Sequence, residues 1–81
     1  MSDKIKQDIS IVSNLQMYRK QAGFSQEQAA AQLQLMGISV SREIISQMEL
    51  GRYSIRVSVL LAMKQLYNIT FEDIFSRISL K

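Results

Sequence analysis

Neither histidine nor cysteine occurs among the 81 residues. The commonest nucleophiles, general bases and transition-metal ligands are therefore missing. The remaining polar groups concentrate in one stretch: Arg42, Glu43, Ser46 and Gln47, then Arg52, Tyr53, Ser54 and Arg56. A guanidinium donates paired hydrogen bonds, a carboxylate accepts them, and a carboxamide does both, so this set suits recognition better than bond making. No carboxylate pair, phosphate-binding glycine loop or metal-ligand cluster stands beside it. The expectation is a binding protein that is not an enzyme and carries no cofactor and no metal.

Ten Lys and Arg against seven Asp and Glu leave a net charge of +3, a balance that fits a polyanionic partner as well as ordinary solubility. With 47% hydrophobic and 21% charged residues, the chain has a globular composition and room for one core. The lack of cysteine removes any disulfide framework and suits a reducing compartment. No run approaches the ~20 apolar residues that cross a bilayer, and residues 1–8 lack the apolar stretch of a leader. A soluble, cytoplasmic protein without membrane contact is expected.

The elements that must position these groups follow from the breaks. Proline is absent and glycine occurs three times, at Gly23, Gly37 and Gly51, each a candidate helix end. Ile9, Val12, Leu15 and Tyr18, with Ile11 beside them, recur at helical spacing and predict a first helix over residues 9–21. Ser25 followed by Gln28 has the form of a capping box, and the alanines 29–31 with Leu33 continue a second helix. Its small face lets a neighbouring helix approach closely. Ser41 caps a third helix over about residues 41–50, with Ile45 and Met48 inward and Arg42, Glu43, Ser46 and Gln47 outward. Residues 52–56 read as a loop. Val57, Leu60, Leu61, Lys64 and Tyr67, joined by Val59, Met63 and Leu66, set a fourth helix. Thr70 with Asp73 caps a short fifth containing Phe71, Ile74, Phe75 and Ile78. The organisation is a flexible segment 1–8, one domain 9–78 and a tail 79–81, all-α with five helices.

The stretch 18–51 then meets a known pattern. Arg19, Gly23-Phe24-Ser25-Gln26, Ser41-Arg42, Ile45-Ser46 and Glu49-x-Gly51 occur in the order that characterises phage repressor and Cro-like helix-turn-helix domains, of the xenobiotic-response-element type. Leu60 to Leu66 and the run Ile69-Thr70-Phe71-Glu72-Asp73-Ile74-Phe75 resemble that family's fourth and closing helices, so residues 10–76 are covered. One departure is plain. Gln34-Leu35-Met36-Gly37-Ile38-Ser39 makes the connection between helices two and three about five residues longer than the usual tight turn, lengthening helix two and adding a short loop.

The resemblance implies a lambda-repressor-like fold that binds double-stranded DNA and acts as a transcriptional regulator, a repressor, with helix three in the major groove. Its first turn would carry Arg42 to guanine O6 and N7 and Glu43 to cytosine N4, with Gln47 one turn on facing adenine and Ser46 a lesser contact. Ile44 could pack inward or on a thymine methyl. Ser25, Gln26, Arg52, Tyr53, Ser54 and Arg56 would hold phosphates, although for Ser25 the capping role competes. Arg19 and Glu49 would form a structural salt bridge between helices one and three. A homodimer, through the C-terminal helix, would read two half-sites. The competing class is a protein-interaction module, an antitoxin or adaptor, built on Met36, Ile38 and Val40 in the long turn and Phe71, Phe75, Ile78 and Leu80 at the end.

Overall fold

The computed structural model describes residues 4–5 and 9–75, with side chains from Asn14 to Ile74. Among the described residues five helices succeed one another: α1 (Ile9–Gln21), α2 (Gln26–Leu35), α3 (Arg42–Glu49), α4 (Val57–Tyr67) and α5 (Phe71–Phe75). This is the expected all-α architecture; Ile78 and the tail lie outside the described residues. Two dipeptides are added to it. β1 (Lys4–Ile5) pairs antiparallel with β2 (Ile55–Arg56), Lys4 opposite Arg56 and Ile5 opposite Ile55. The end of the predicted loop 52–56 is thus a strand. Alternation over two residues has no period to detect, so the pattern could not reveal it.

Two reciprocal caps start helices where the sequence places them. Ser25 Oγ accepts from the Gln28 N–H at 3.0 Å while Gln28 Oε1 accepts from the Ser25 N–H at 2.9 Å. Thr70 and Asp73 repeat the arrangement at 3.0 and 2.9 Å. A capping side chain of this kind contributes about 1 kcal/mol.

The long connection is an ordered turn. Gly37 takes φ +86°, a left-handed conformation that favours glycine. The Ile38 N–H donates to Leu33 O at 2.9 Å and the Gly37 N–H to Gln34 O at 3.0 Å, the paired bonds of a Schellman end. The Gln34 side-chain amide then donates to Val40 O at 2.7 Å. Val40 is buried and Ile38 packs on the core, so the turn is pinned at both ends before α3 begins.

Leu15 of α1, Ala29, Ala30 and Leu33 of α2, Ile45 and Met48 of α3, and Val59, Leu60 and Met63 of α4 meet in the core that Ile74 of α5 closes. The alanines of α2 permit the close approach expected of them. In α4 Leu60 and Tyr67 are buried as expected, but Val57 is 40% and Leu61 46% exposed, and Ala62 is buried in their place. A helix apolar on nearly every side gives periodicity no single face to choose. Asn14, a residue without any sequence signal, is fully buried and donates its amide to Ile74 O at 2.5 Å, tying α1 to the α5 backbone.

Candidate nucleic-acid interface

The third helix has two contrasting sides. Ser41 caps it, its Oγ accepting from the Ile44 N–H at 3.2 Å. Ile45, Met48 and Glu49 are buried and fasten it to the rest of the molecule. Arg42, Glu43 and Gln47 are exposed on the other side, with Ser46 half-buried between them. The side chains of Arg42 and Glu43 are 53% and 73% exposed, and Arg42 Nη2 lies 3.6 Å from Glu43 Oε2. An ion pair this long and this wet contributes little and is readily exchanged for other partners. Ile44 is half-buried and packs against the core.

What fixes the aim of this helix is buried charge. Arg19 Nε donates to Glu49 Oε2 at 2.6 Å and Arg19 Nη2 to Glu49 Oε1 at 3.0 Å, a fork on a carboxylate with both side chains at most 6% exposed. Arg19 Nη1 also donates to Phe24 O at 2.8 Å. Desolvating two charges is costly, and these added hydrogen bonds are what make the burial tolerable. The hydrogen bond to Glu49 raises the guanidinium pKa above its ordinary value, so Arg19 is cationic at any working pH. Tyr67 and Phe24 lie beside the pair, ring centroids 6.4 Å apart. Burial, then the Glu49 charge, push the Tyr67 phenol well above its usual range. The Tyr67 hydroxyl has no hydrogen-bond partner among the described residues.

Gln26 joins this network. Its amide donates to Glu49 Oε1 at 3.0 Å, linking the first residue of α2 to α1 and α3. Sequence reading places Gln26 outward, and nothing local distinguishes an amide that caps a buried carboxylate from one in solvent. One of its two amide protons remains for an outside acceptor. Ser25, the other candidate at this end, accepts the Gln28 N–H at its Oγ, a bond that leaves the hydroxyl able to donate its own proton.

Beyond α3, Arg52, Tyr53, Ser54 and Arg56 are all exposed, and the Arg52 N–H donates to Gln47 O at 2.9 Å. The basic segment therefore leaves directly from the end of the exposed helix face. Of the residues considered for a protein-binding patch, Val40 is buried and Ile38 half-buried, while Met36 is 39% and Phe71 46% exposed. Phe71 lies under the Lys64 ammonium, 5.0 Å from its ring centre. Side chains from Phe75 onward lie outside the described residues.

A groove opens between the long turn and the segment after α3. Ser39 stands on one bank, Tyr53 and Arg56 on the other, with Met48 and Val59 below. Among the described residues no helix is long and apolar enough to cross a membrane, and no group of three His, Cys, Asp or Glu could hold a metal ion.

Comparison with known proteins finds no match among curated proteins and none among solved structures. A helix-turn-helix family model, by contrast, matches residues 15–74. That span runs from Leu15 of α1 to Ile74 of α5 and contains the buried ion pair, the long turn and the exposed face of α3, so the chain belongs to the helix-turn-helix family, of the phage repressor and Cro-like kind.

Proposed function

We propose that this protein is a sequence-specific DNA-binding transcriptional regulator, a repressor, that reads the major groove with α3. The single observation that carries this reading is the division of that helix. Its inner side is locked by Ile45, Met48 and the Arg19–Glu49 fork, while Arg42, Glu43 and Gln47 stand exposed at its start and middle. Rigid support behind and unburied donors and acceptors in front are what base readout requires. Arg42 addresses guanine, Glu43 cytosine and Gln47 adenine, with Ser46 a smaller contributor.

Phosphates are held on two sides of this helix: by Gln26 and the free amides around Ser25 at the start of α2, and by Arg52, Tyr53, Ser54 and Arg56 after α3. A second copy doubles the site. Val57 and Leu61 are exposed one turn apart on α4, and Phe71 at the start of α5 is exposed too. These support an apolar face through which a homodimer places two half-sites about one helical turn apart.

Selection from random duplexes at two salt concentrations tests the reading. A preferred motif, bound less tightly as salt rises, is the expected result. Absence of binding at low salt would reject it in favour of a protein-interaction role.

A further inference from the structure

The longer connection between α2 and α3 has a consequence beyond reaching α3. It builds one bank of the groove, bringing Gly37, Ile38 and Ser39 opposite Tyr53, Arg56 and Ser58. The inner part encloses about 80 Å³ and is open to solvent. Val40, Ile44, Met48 and Val59 supply its apolar lining, Ile44 being the most exposed of them. Around this lining stand a guanidinium, a phenol and serine hydroxyls. Among the described residues no carboxylate lines the groove.

An apolar floor beside one cation and several hydroxyls discriminates in two ways. A bare inorganic anion gains nothing from the floor, and an uncharged apolar molecule leaves the guanidinium without an anion. A small organic acid with an apolar body satisfies both. We propose that this groove binds such an acid, its carboxylate on Arg56 with help from Tyr53 and Ser39, and its chain over Ile44, Met48 and Val59. Two of those residues, Tyr53 and Arg56, are also assigned to the DNA backbone. A bound acid occupies the Arg56 fork and adds a negative charge beside the phosphate path, so acid and DNA exclude one another and the acid acts as an inducer. The acid site stands on the groove alone; the exclusion rests on the proposed DNA-binding function.

The two parts are tested separately. First, the full chain without DNA is titrated with sodium hexanoate and followed by two-dimensional NMR of backbone amides, with acetate, phosphate and 1-hexanol as controls. Saturable shifts at Ser39, Tyr53, Arg56 and Ser58 are expected with hexanoate. Binding should be at least about tenfold weaker for each control and for Arg56→Gln, because each removes either the charge-assisted hydrogen bonds or the buried chain. No saturation with hexanoate, or equal response to acetate or phosphate, overturns the proposal. Second, hexanoate is added to the chain bound to its selected duplex. Release from DNA is expected for the parent and not for Ser39→Phe, which fills the groove from a residue with no assigned DNA contact. Release that is equal in both overturns the inducer role. A chain that binds no DNA at all removes the proposed function and leaves the hexanoate result to decide the acid site.

Discussion

Among individual residues, exposure separates those that would read bases from those that hold the fold. Arg42 is solvated and weakly paired, so replacing it with Ala should leave folding intact and lose base preference at one position. The loss of discrimination there should be about 1 to 3 kcal/mol. Arg52→Ala should instead weaken binding to every duplex and lower the slope of affinity against salt by about one. Selection experiments on both variants at two salt concentrations check this, and equal losses on all sequences for both would refute the division. Glu49→Ala belongs to a different kind. It strands the Arg19 guanidinium and one amide of Gln26 in a buried site, which should cost about 3 to 5 kcal/mol of stability in urea unfolding. Any loss of DNA binding should follow the unfolding curve. The pairing of Arg19 with Glu49 was legible through the family pattern, whereas the approach of Gln26 was not, because it depends on where α2 starts relative to α3.

For the elements, the outcome depended on how strongly each local signal is written. Capping boxes at Ser25 and Thr70 involve neighbours in the chain, so the residues alone declare them. The turn after α2 is nearly as local: a left-handed Gly37, two backbone bonds and the Gln34 brace. A Cβ at Gly37 would meet nothing within 4 Å, so Gly37→Ala suffers only from its backbone conformation. A destabilisation of about 1 to 2 kcal/mol is expected in urea titration, and an unchanged midpoint would show that the turn is held some other way. In contrast, β2 and the inner side of α4 depend on contacts with distant segments. A dipeptide strand and an evenly apolar helix carry no periodic mark, which is why Val57 and Leu61 were expected inward and stand outward.

At the scale of the whole molecule, burial couples the fold to pH. The Tyr67 phenol is raised by burial above its ordinary value of 10.0. Below that value the phenol is neutral in both folded and unfolded chains and pH has no effect through it. Above it the unfolded chain releases the proton while the folded chain keeps it, so stability falls as pH rises. Tyr67→Phe abolishes this contribution. The variant should lose less stability than the parent between about pH 8 and about pH 10.5, measured by urea midpoints; parallel losses would contradict the assignment. The exposed apolar face of α4 makes a further prediction for the assembly. Leu61→Glu places a charge on a residue 46% exposed, so folding should survive while, if the proposed homodimer forms through this face, sedimentation shifts from dimer toward monomer. Affinity for a duplex with two half-sites should drop and that for a single half-site should not.

Local signals in the chain fix the order of the described helices, the starts at Ser25, Ser41 and Thr70, and the outward Arg42, Glu43 and Gln47 of α3. These follow from spacing, caps and glycine positions, all of which act over a few residues. The burial of Asn14, the bond from Gln26 to Glu49 and the groove between the lengthened turn and Arg56 arise instead from how the helices pack. Those relations join segments far apart in the chain, and their energies come from desolvation and packing that exist only once the helices have met.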